Sequence, residues 1–346
     1  MTTIPGPAER LKHVLTVAGL EPVTASHLIE SRSNDTWLMD DARLGPVVLR
    51  VCWRGDVSRL GREVAVVQAM PGGVRYPEVV GHGPAAVHDF PLHYSVTRRL
   101  TGGPLDLRWP SLTEAERRSA VAQLADMLRE LHRWTPPAGL ARQVCARPGL
   151  EGGGMSALLG ADHTPLPVPR AVTMARHAGG LPFIDPGLMA DAVATLGELE
   201  HLAPAVDDPS RHGLMHGDLN LGNLWWSQDG AVVMMDFEWV RFGPPLLDLQ
   251  RLCDNADIDT LNGDGPHPAV LRRLAEEYPD AFREDDAAGR MRLYTLAYAL
   301  RDIVVDPPDR PLDELSPDHS LHRVRRLLTG RWPAPGALPD PLVPPR

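Results

Sequence analysis

Between Gly213 and Glu238 the chain reads GLMHGDLNLGNLWWSQDGAVVMMDFE, and this stretch limits the possible folds more than any other. A polar, glycine-punctuated loop runs into two short apolar segments, NLWWS and AVVMMDFEW, joined by QDG, which is the pattern of a tight β-hairpin. A hairpin brings its ends together, so Asn223 before the first strand and Asp236 after the second meet. An aspartate that ends an apolar strand is costly to bury unless it binds something. Asparagine and aspartate oxygens suit Mg²⁺, which completes its shell with water and phosphate. Asp218 stands five residues before Asn223 on the same loop, where a carboxylate beside a metal-bound phosphate can accept a proton from a hydroxyl. A solvated Asx-rich turn would explain the loop's Asp and Asn, but not Asp236.

The rest of the chain divides by period. With 346 residues it exceeds one compact core, and two lobes are expected, residues 1–100 and 101–346. The first reads as a small β-rich lobe. AERLKHVLTVAG has helical spacing, HLIESRSNDTWLMDD gives two strand pieces around a polar turn, and GPVVLRVCW is a β-branched strand. SRLGREVAVVQAM returns to helical period, and PEVVGHG and HYSVTRRL are two further short strands. The second lobe reads as mostly helical. Thr113 and Glu116 form a capping box, Asp185-Pro186 opens another helix, and later helices fall near 269–278, 287–305 and 319–329. Residues 136–184, rich in Gly and Pro, are expected to be an irregular insertion, and the Pro-rich tail after Trp332 to be extended.

Composition excludes several classes. Cys52, Cys145 and Cys253 are far apart, which fits buried thiols rather than a disulfide framework or a zinc site. The net charge of −10 argues against non-specific nucleic-acid binding. No apolar run is long enough to span a bilayer, and the N-terminus lacks signal-peptide features, so a cytoplasmic protein with no membrane partner is expected. Lys12 is the only lysine, so any internal cation must be an arginine.

HGDLNLGN followed by MMDFE resembles the catalytic loop and metal-binding aspartate of the aminoglycoside phosphotransferase and choline kinase family. That resemblance implies an α+β, two-lobed, protein-kinase-like fold and a reaction that moves the γ-phosphate of ATP, or of GTP, to a hydroxyl of a small molecule. It makes Asp218 the base, Asn223 and Asp236 the Mg²⁺ ligands, and His216 a residue that shapes the loop. Arg50 in VVLRV takes the place of the protein-kinase lysine, and Glu63, thirteen residues on, is suited to hold it. Ser31, Ser33 and Asn34 in the glycine-free loop ESRSNDTW are candidates for phosphate contact. Adenine would bond to backbone groups near Arg98 and Leu100 in HYSVTRRL, and Asp248 in FGPPLLDLQRL would hold the catalytic loop.

The acceptor is less legible. CDNADIDTLNGDG, with Asp254, Asp257, Asp259 and Asp264, reads as a solvated acidic loop or as an acidic rim for an amino sugar or polyamine. Trp225, Trp226 and Trp239 are candidates for stacking or for the core. An antibiotic kinase, aminoglycoside or nucleoside type, leads. A kinase for a sugar, amino alcohol or nucleoside metabolite follows. A nucleotide-binding protein without catalysis stands third, disfavoured because Asp218, Asn223 and Asp236 are all present. Either a monomer or a homodimer is expected.

Overall fold

A computed structural model describes residues 4–23, 27–29, 34–146 and 164–343. The first hundred residues build a five-stranded antiparallel sheet in the order β1-β2-β3-β5-β4, from β1 (His27–Ile29), β2 (Asn34–Asp41), β3 (Gly45–Cys52), β4 (Val79–Val87) and β5 (Phe90–Arg98). Period-two alternation sorts β3: Val47, Leu49 and Val51 are fully buried on one face, while Val48 and Arg50 face the other. The first face packs with Trp37, Met39, Leu92 and Val96 beneath α1 (Pro7–Ala18), which ends on left-handed Gly19. The second face, carrying Arg50, looks toward α2 (Arg59–Ala69). The strands β4 and β5 are longer than their sequence pattern indicates. They meet at His88 and Asp89, both at positive φ, so a primed turn without glycine joins what reads as two short pieces.

The chain leaves the sheet after Arg98 and enters a mostly helical body through β6 (Gly103–Pro104), α3 (Leu105–Arg108) and α4 (Glu114–Arg133), whose capping box is formed. Then come α5 (Ala138–Cys145), α6 (Val168–Ala178), α7 (Pro186–Leu199), β7 (Leu214–Met215), β8 (Leu224–Trp226), β9 (Val232–Met234) and β10 (Arg241–Phe242). The last helices are α8 (Pro245–Asp248), α9 (Gln250–Asn262), α10 (His267–Glu277), α11 (Ala287–Val305) and α12 (Ser320–Leu328). The core helix is α11, apolar around most of its circumference and packed by α6, α7 and α12. One hydrophobic cluster runs from this body up to Val66 and Val74, at and just past the end of α2. Met234 N–H bonds to Arg75 C=O at 2.9 Å, so the segment after α2 is stitched to the hairpin strand β9.

Three sequence expectations are corrected. Residues 136–184 contain α5 and α6; Val168, Ala171, Met174, Ala175 and Ala178 bury one stripe of α6, a helical period hidden by flanking prolines. The tail does not run out extended: Trp332, Ala334, Ala337, Leu338 and Leu342 are buried, and a 3₁₀ turn at Asp340–Leu342 packs on α11. CDNADIDTLN is neither loop nor rim but helix α9 with Asp254 and Asp257 buried. Asp254 pairs with Arg323 at 2.8 Å and Asp257 pairs with Arg326, both arginines from α12. Asp259 accepts from the backbone and ring of His267, at 3.0 and 2.7 Å, and so anchors the start of α10. Ion pairing across two helices, invisible in local sequence, is what makes burial of these acids possible.

Candidate active site

The loop His216–Asn223 is fixed from below. Asp248 is buried, and its carboxylate accepts the backbone N–H groups of His216 and Gly217, each at 2.8 Å. His132 Nε2, from α4, approaches the same carboxylate at 3.1 Å, and Tyr278 OH lies 3.3 Å from its Nδ1. Burial works to raise the Asp248 pKa, but the His132 hydrogen bond, the two imidazoles and the Gly217 N–H outweigh it and hold the carboxyl below the ordinary range. His216 Nε2 lies 2.8 Å from Met235 C=O, and Asp218 N–H donates to its Nδ1 at 3.3 Å, so the imidazole cross-links the loop to the far end of the hairpin. Gly217 has φ of +83°, and a Cβ there would lie 2.1 Å from Trp239 C=O, so only glycine fits.

Asn223 sits where the hairpin starts. Its side-chain Nδ2 donates to Asp218 C=O at 2.9 Å and to Asp218 Oδ2 at 3.2 Å. Asn220 completes the turn, accepting from Asn223 N–H and donating to Asp218 C=O, both at 3.1 Å. Across the hairpin Met235 N–H bonds to Asn223 C=O at 2.9 Å, which brings Asp236 next to Asn223 as the pattern requires. Asp236 itself adopts a left-handed conformation at φ of +65°, a backbone cost that Asp tolerates better than most residues.

Above Asp236 lies a cluster of charges. Arg50 Nη1 bonds to both oxygens of Glu63 at 2.9 Å, and its Nη2 reaches Asp236 Oδ1 at 2.6 Å. Glu63 is fully buried and also accepts from Tyr76 OH at 2.7 Å and Phe237 N–H at 3.1 Å. Glu238 is buried as well, 2.9 Å from Arg59 Nε and 3.7 Å from Arg50 Nη2, and accepts from Asn34 Nδ2 at 3.1 Å. Burial, followed by the neighbouring Asp236 and Glu238 carboxylates, raises the Glu63 pKa against the pull of Arg50. Burial works to lower the Arg50 pKa, but Glu63 and Asp236 outweigh it and hold the guanidinium well above its ordinary value.

Of the remaining sequence candidates, Asn34 touches this group and Arg98 and Leu100 do not. Ser31 and Ser33 lie outside the described residues. Asn34, at the start of β2, has its amide on Glu238. Arg98 is half-exposed and reaches Glu78 and Leu44 C=O with its side chain, while its N–H donates to Glu78 C=O at 2.9 Å. Leu100 follows in the linker, and its N–H has no partner among the described residues. The three tryptophans separate: Trp226 joins the core, Trp225 donates to Thr101 C=O at 2.9 Å, and Trp239 lines a cavity. Sequence reasoning missed Asn220, Arg59 and Arg251, and read His132 as a packed helical residue, which it is, without its bond to Asp248. Asn220 lay inside the quoted motif; the others carry no local signal for a partner distant in sequence.

That cavity, of about 850 Å³, opens beside Gly217 and Asp218. Its walls come from α9, α11 and the start of α12, and six arginines line it: Arg54, Arg59, Arg241, Arg251, Arg301 and Arg323.

The profile of the phosphotransferase enzyme family (APH) matches residues 26–294. The chain belongs to that family. This phosphotransferase is a small-molecule kinase with a protein-kinase-like fold. Its fold is similar to a thermostable mutant of aminoglycoside phosphotransferase APH(4)-Ia solved with ADP and hygromycin B (TM-score 0.57, 16% identity, 92% of this chain and 97% of that one). It is similar also to the GDP complex of aminoglycoside 2′-phosphotransferase-IIIa (0.60, 15%, 94% and 98%) and to amicoumacin kinase hAmiN with AMP-PNP, Ca²⁺ and Ami (0.58, 14%, 97% and 96%). A search of curated proteins gives no match. Among the described residues, no helix of the phosphotransferase is long and apolar enough to cross a membrane.

The donor chemistry at the hairpin ends fits Mg²⁺. Asp218 holds the Asn223 amide by its nitrogen, which leaves the carbonyl oxygen as the free end, and the Asp236 carboxylate is 31% exposed. Two oxygen ligands suffice for an ion that takes the rest of its shell from phosphate and water. Among the described residues no group of three or more His, Cys, Asp and Glu side chains is placed to hold a metal without such help.

Proposed function

We propose that this protein is an ATP-dependent O-phosphotransferase in which residues 1–100 form the nucleotide-binding lobe and residues 101–346 the catalytic and acceptor-binding lobe. The observation that carries this reading is the state of Asp218. Its Oδ2 is held by Asn223, while Oδ1 accepts no hydrogen bond among the described residues and belongs to a carboxylate lining the large cavity. An acceptor hydroxyl in that cavity gives its proton to Oδ1 as its oxygen bonds to the γ-phosphorus; the bond from that phosphorus to the β–γ bridging oxygen breaks, and ADP leaves. Asn223 and Asp236 would hold Mg²⁺, which neutralises phosphate charge when bound. Arg50, kept in place by Glu63 and reaching Asp236, would be the guanidinium that pairs with the phosphates. Adenine, or guanine if GTP serves, would bond to backbone groups near Arg98 and Leu100, and Ser31, Ser33 and Asn34 stay candidates for phosphate contact.

The acceptor is a small hydroxyl compound, and an antibiotic inactivated for resistance or self-protection is the first reading, supported by similar structures that hold hygromycin B and Ami. A metabolite kinase is the second, favoured by Arg251, a guanidinium of the cavity lining that makes no hydrogen bond among the described residues. The protein acts in the cytoplasm as a monomer or homodimer. The test is nucleotide consumption by purified protein with Mg²⁺, ATP and a panel of antibiotics, sugars and amino alcohols. Turnover that is lost in Asp218→Asn while nucleotide still binds supports the reading, and undiminished turnover in that variant refutes it.

A further inference from the structure

Resting on that phosphotransfer reading, we infer that the acceptor carries an anionic group, a carboxylate or a phosphate, close to the hydroxyl it presents, and that Arg251 binds this group. Arg251 lies in the first turn of α9, two residues past Leu249 and three past Asp248, so the element that fixes the catalytic loop also fixes this side chain. Its Nε stands 3.7 Å from Asp218 Oδ1, the oxygen that Asn223 leaves open. At that separation the pair attracts without a hydrogen bond. The Nε is shielded from solvent, and among the described residues the guanidinium donates no hydrogen bond at all. A shielded, unsatisfied guanidinium donor is costly to leave so. A hydroxyl placed on Asp218 Oδ1 therefore has unused guanidinium donors beside it.

Asp218 aside, the carboxylates of the floor around Arg251 already have guanidiniums beside them. Asp302 is taken by Arg301 at 2.6 Å, and Arg323 stands 2.8 Å from Asp254 and 3.8 Å from Asp302. An ammonium group at either would stand beside a guanidinium already in place, although Asp254 Oδ1 is buried without a hydrogen-bond partner. Burial pushes Asp254 up to about 6 despite Arg323, which weakens the acidic side of this floor further near neutral pH. The other carboxylates of the lining, Asp306 and Asp318, are exposed.

The test is calorimetric titration of the full-length protein, saturated with Mg²⁺ and AMP-PNP so that its nucleotide sites are filled. Lactate, inorganic phosphate and ethanolamine are the probes. Lactate and phosphate are expected to bind saturably, about tenfold or more weakly to Arg251→Ala, with partial recovery in Arg251→Lys. Ethanolamine is expected to show no site. Arg251→Gln, which keeps the bulk and loses the charge, replaces the alanine variant if that one misfolds. The inference is overturned by the absence of saturable anion binding, by equal affinity in wild type and Arg251→Ala, or by ethanolamine binding more tightly than lactate. If AMP-PNP itself fails to bind, the phosphotransfer reading falls and takes the inference with it; if AMP-PNP binds and the anions do not, the inference alone falls.

Discussion

Two partly buried ion clusters flank Asp218, and, Asp218 itself aside, they are built with opposite surpluses. Above the hairpin, two guanidiniums, Arg50 and Arg59, face three carboxylates, Glu63, Asp236 and Glu238. Beside the cavity, the part-exposed Arg251 and the more buried Arg301 and Arg323 face Asp254 and Asp302, with Asp218 itself 3.7 Å from Arg251. A buried cluster with excess negative charge is completed by a cation, and one with excess positive charge by an anion. Asp218 thus lies between one cluster richer in carboxylates and one richer in guanidiniums, and neither is legible from net charge, which is −10 for the whole chain.

The largest expected effect comes from removing the part-exposed carboxylate of the upper cluster. Asp236→Ala should lower Mg²⁺-dependent turnover by roughly 10³ or more, the scale of lost metal assistance. Metal-free nucleotide binding should change little, since Arg50 is released rather than lost. Equal losses with and without Mg²⁺ in equilibrium binding would break the assignment of a metal to this side. Next, Asp248→Ala strands two backbone N–H groups and His132 in a buried place, and denaturant unfolding should report about 3 kcal/mol of lost stability.

The two buried aspartates Asp248 and Asp254 also differ in sign. The folded Asp248 carboxyl titrates below the unfolded value of 3.8, so its contribution is present above that pH and disappears as pH falls through the folded value. Asp254 is raised to about 6, so its contribution is greatest below 3.8 and is lost as pH rises toward and through 6. The unfolding free energy of Asp254→Asn should therefore fall less between pH 4 and 7 than that of wild type, by at most about 3 kcal/mol. A parallel pH profile in the two proteins would show that Asp254 is not destabilised by burial. The smallest effect is expected outside both clusters: Arg98→Ala alters a half-exposed side chain, and nucleotide affinity measured by titration should stay within about twofold.

How much of this was readable depends on the range of the interaction. Three features are set by backbone periods of a few residues: the hairpin that brings Asn223 to Asp236, the capping box at Thr113 and Glu116, and the alternation that points Arg50 away from the sheet core holding Leu49 and Val51. The pairing of Arg50 with Glu63 is similarly close, one strand to the next helix. By contrast, Asp254 and Asp257 read as solvated acids because their partners lie 69 residues away on α12. His132 reaches Asp248 across 116 residues, and Glu238 reaches Asn34 across 204.

The order of amino acids was enough for the local devices: the loop that only Gly217 can turn, the oxygen pair at the ends of one hairpin, the arginine that must stand where a lysine is not available. These follow from steric limits and short-range hydrogen bonds that no distant residue can override cheaply. Which charges keep hydrogen bonds unmade was settled only when distant helices packed together. Arg251 makes none among the described residues because Asp302 and Asp254 stand closer to Arg301 and Arg323, and Asp218 lies 3.7 Å away. That competition is decided by three-dimensional distance, since the energy of an ion pair depends on separation and burial rather than on order in the chain.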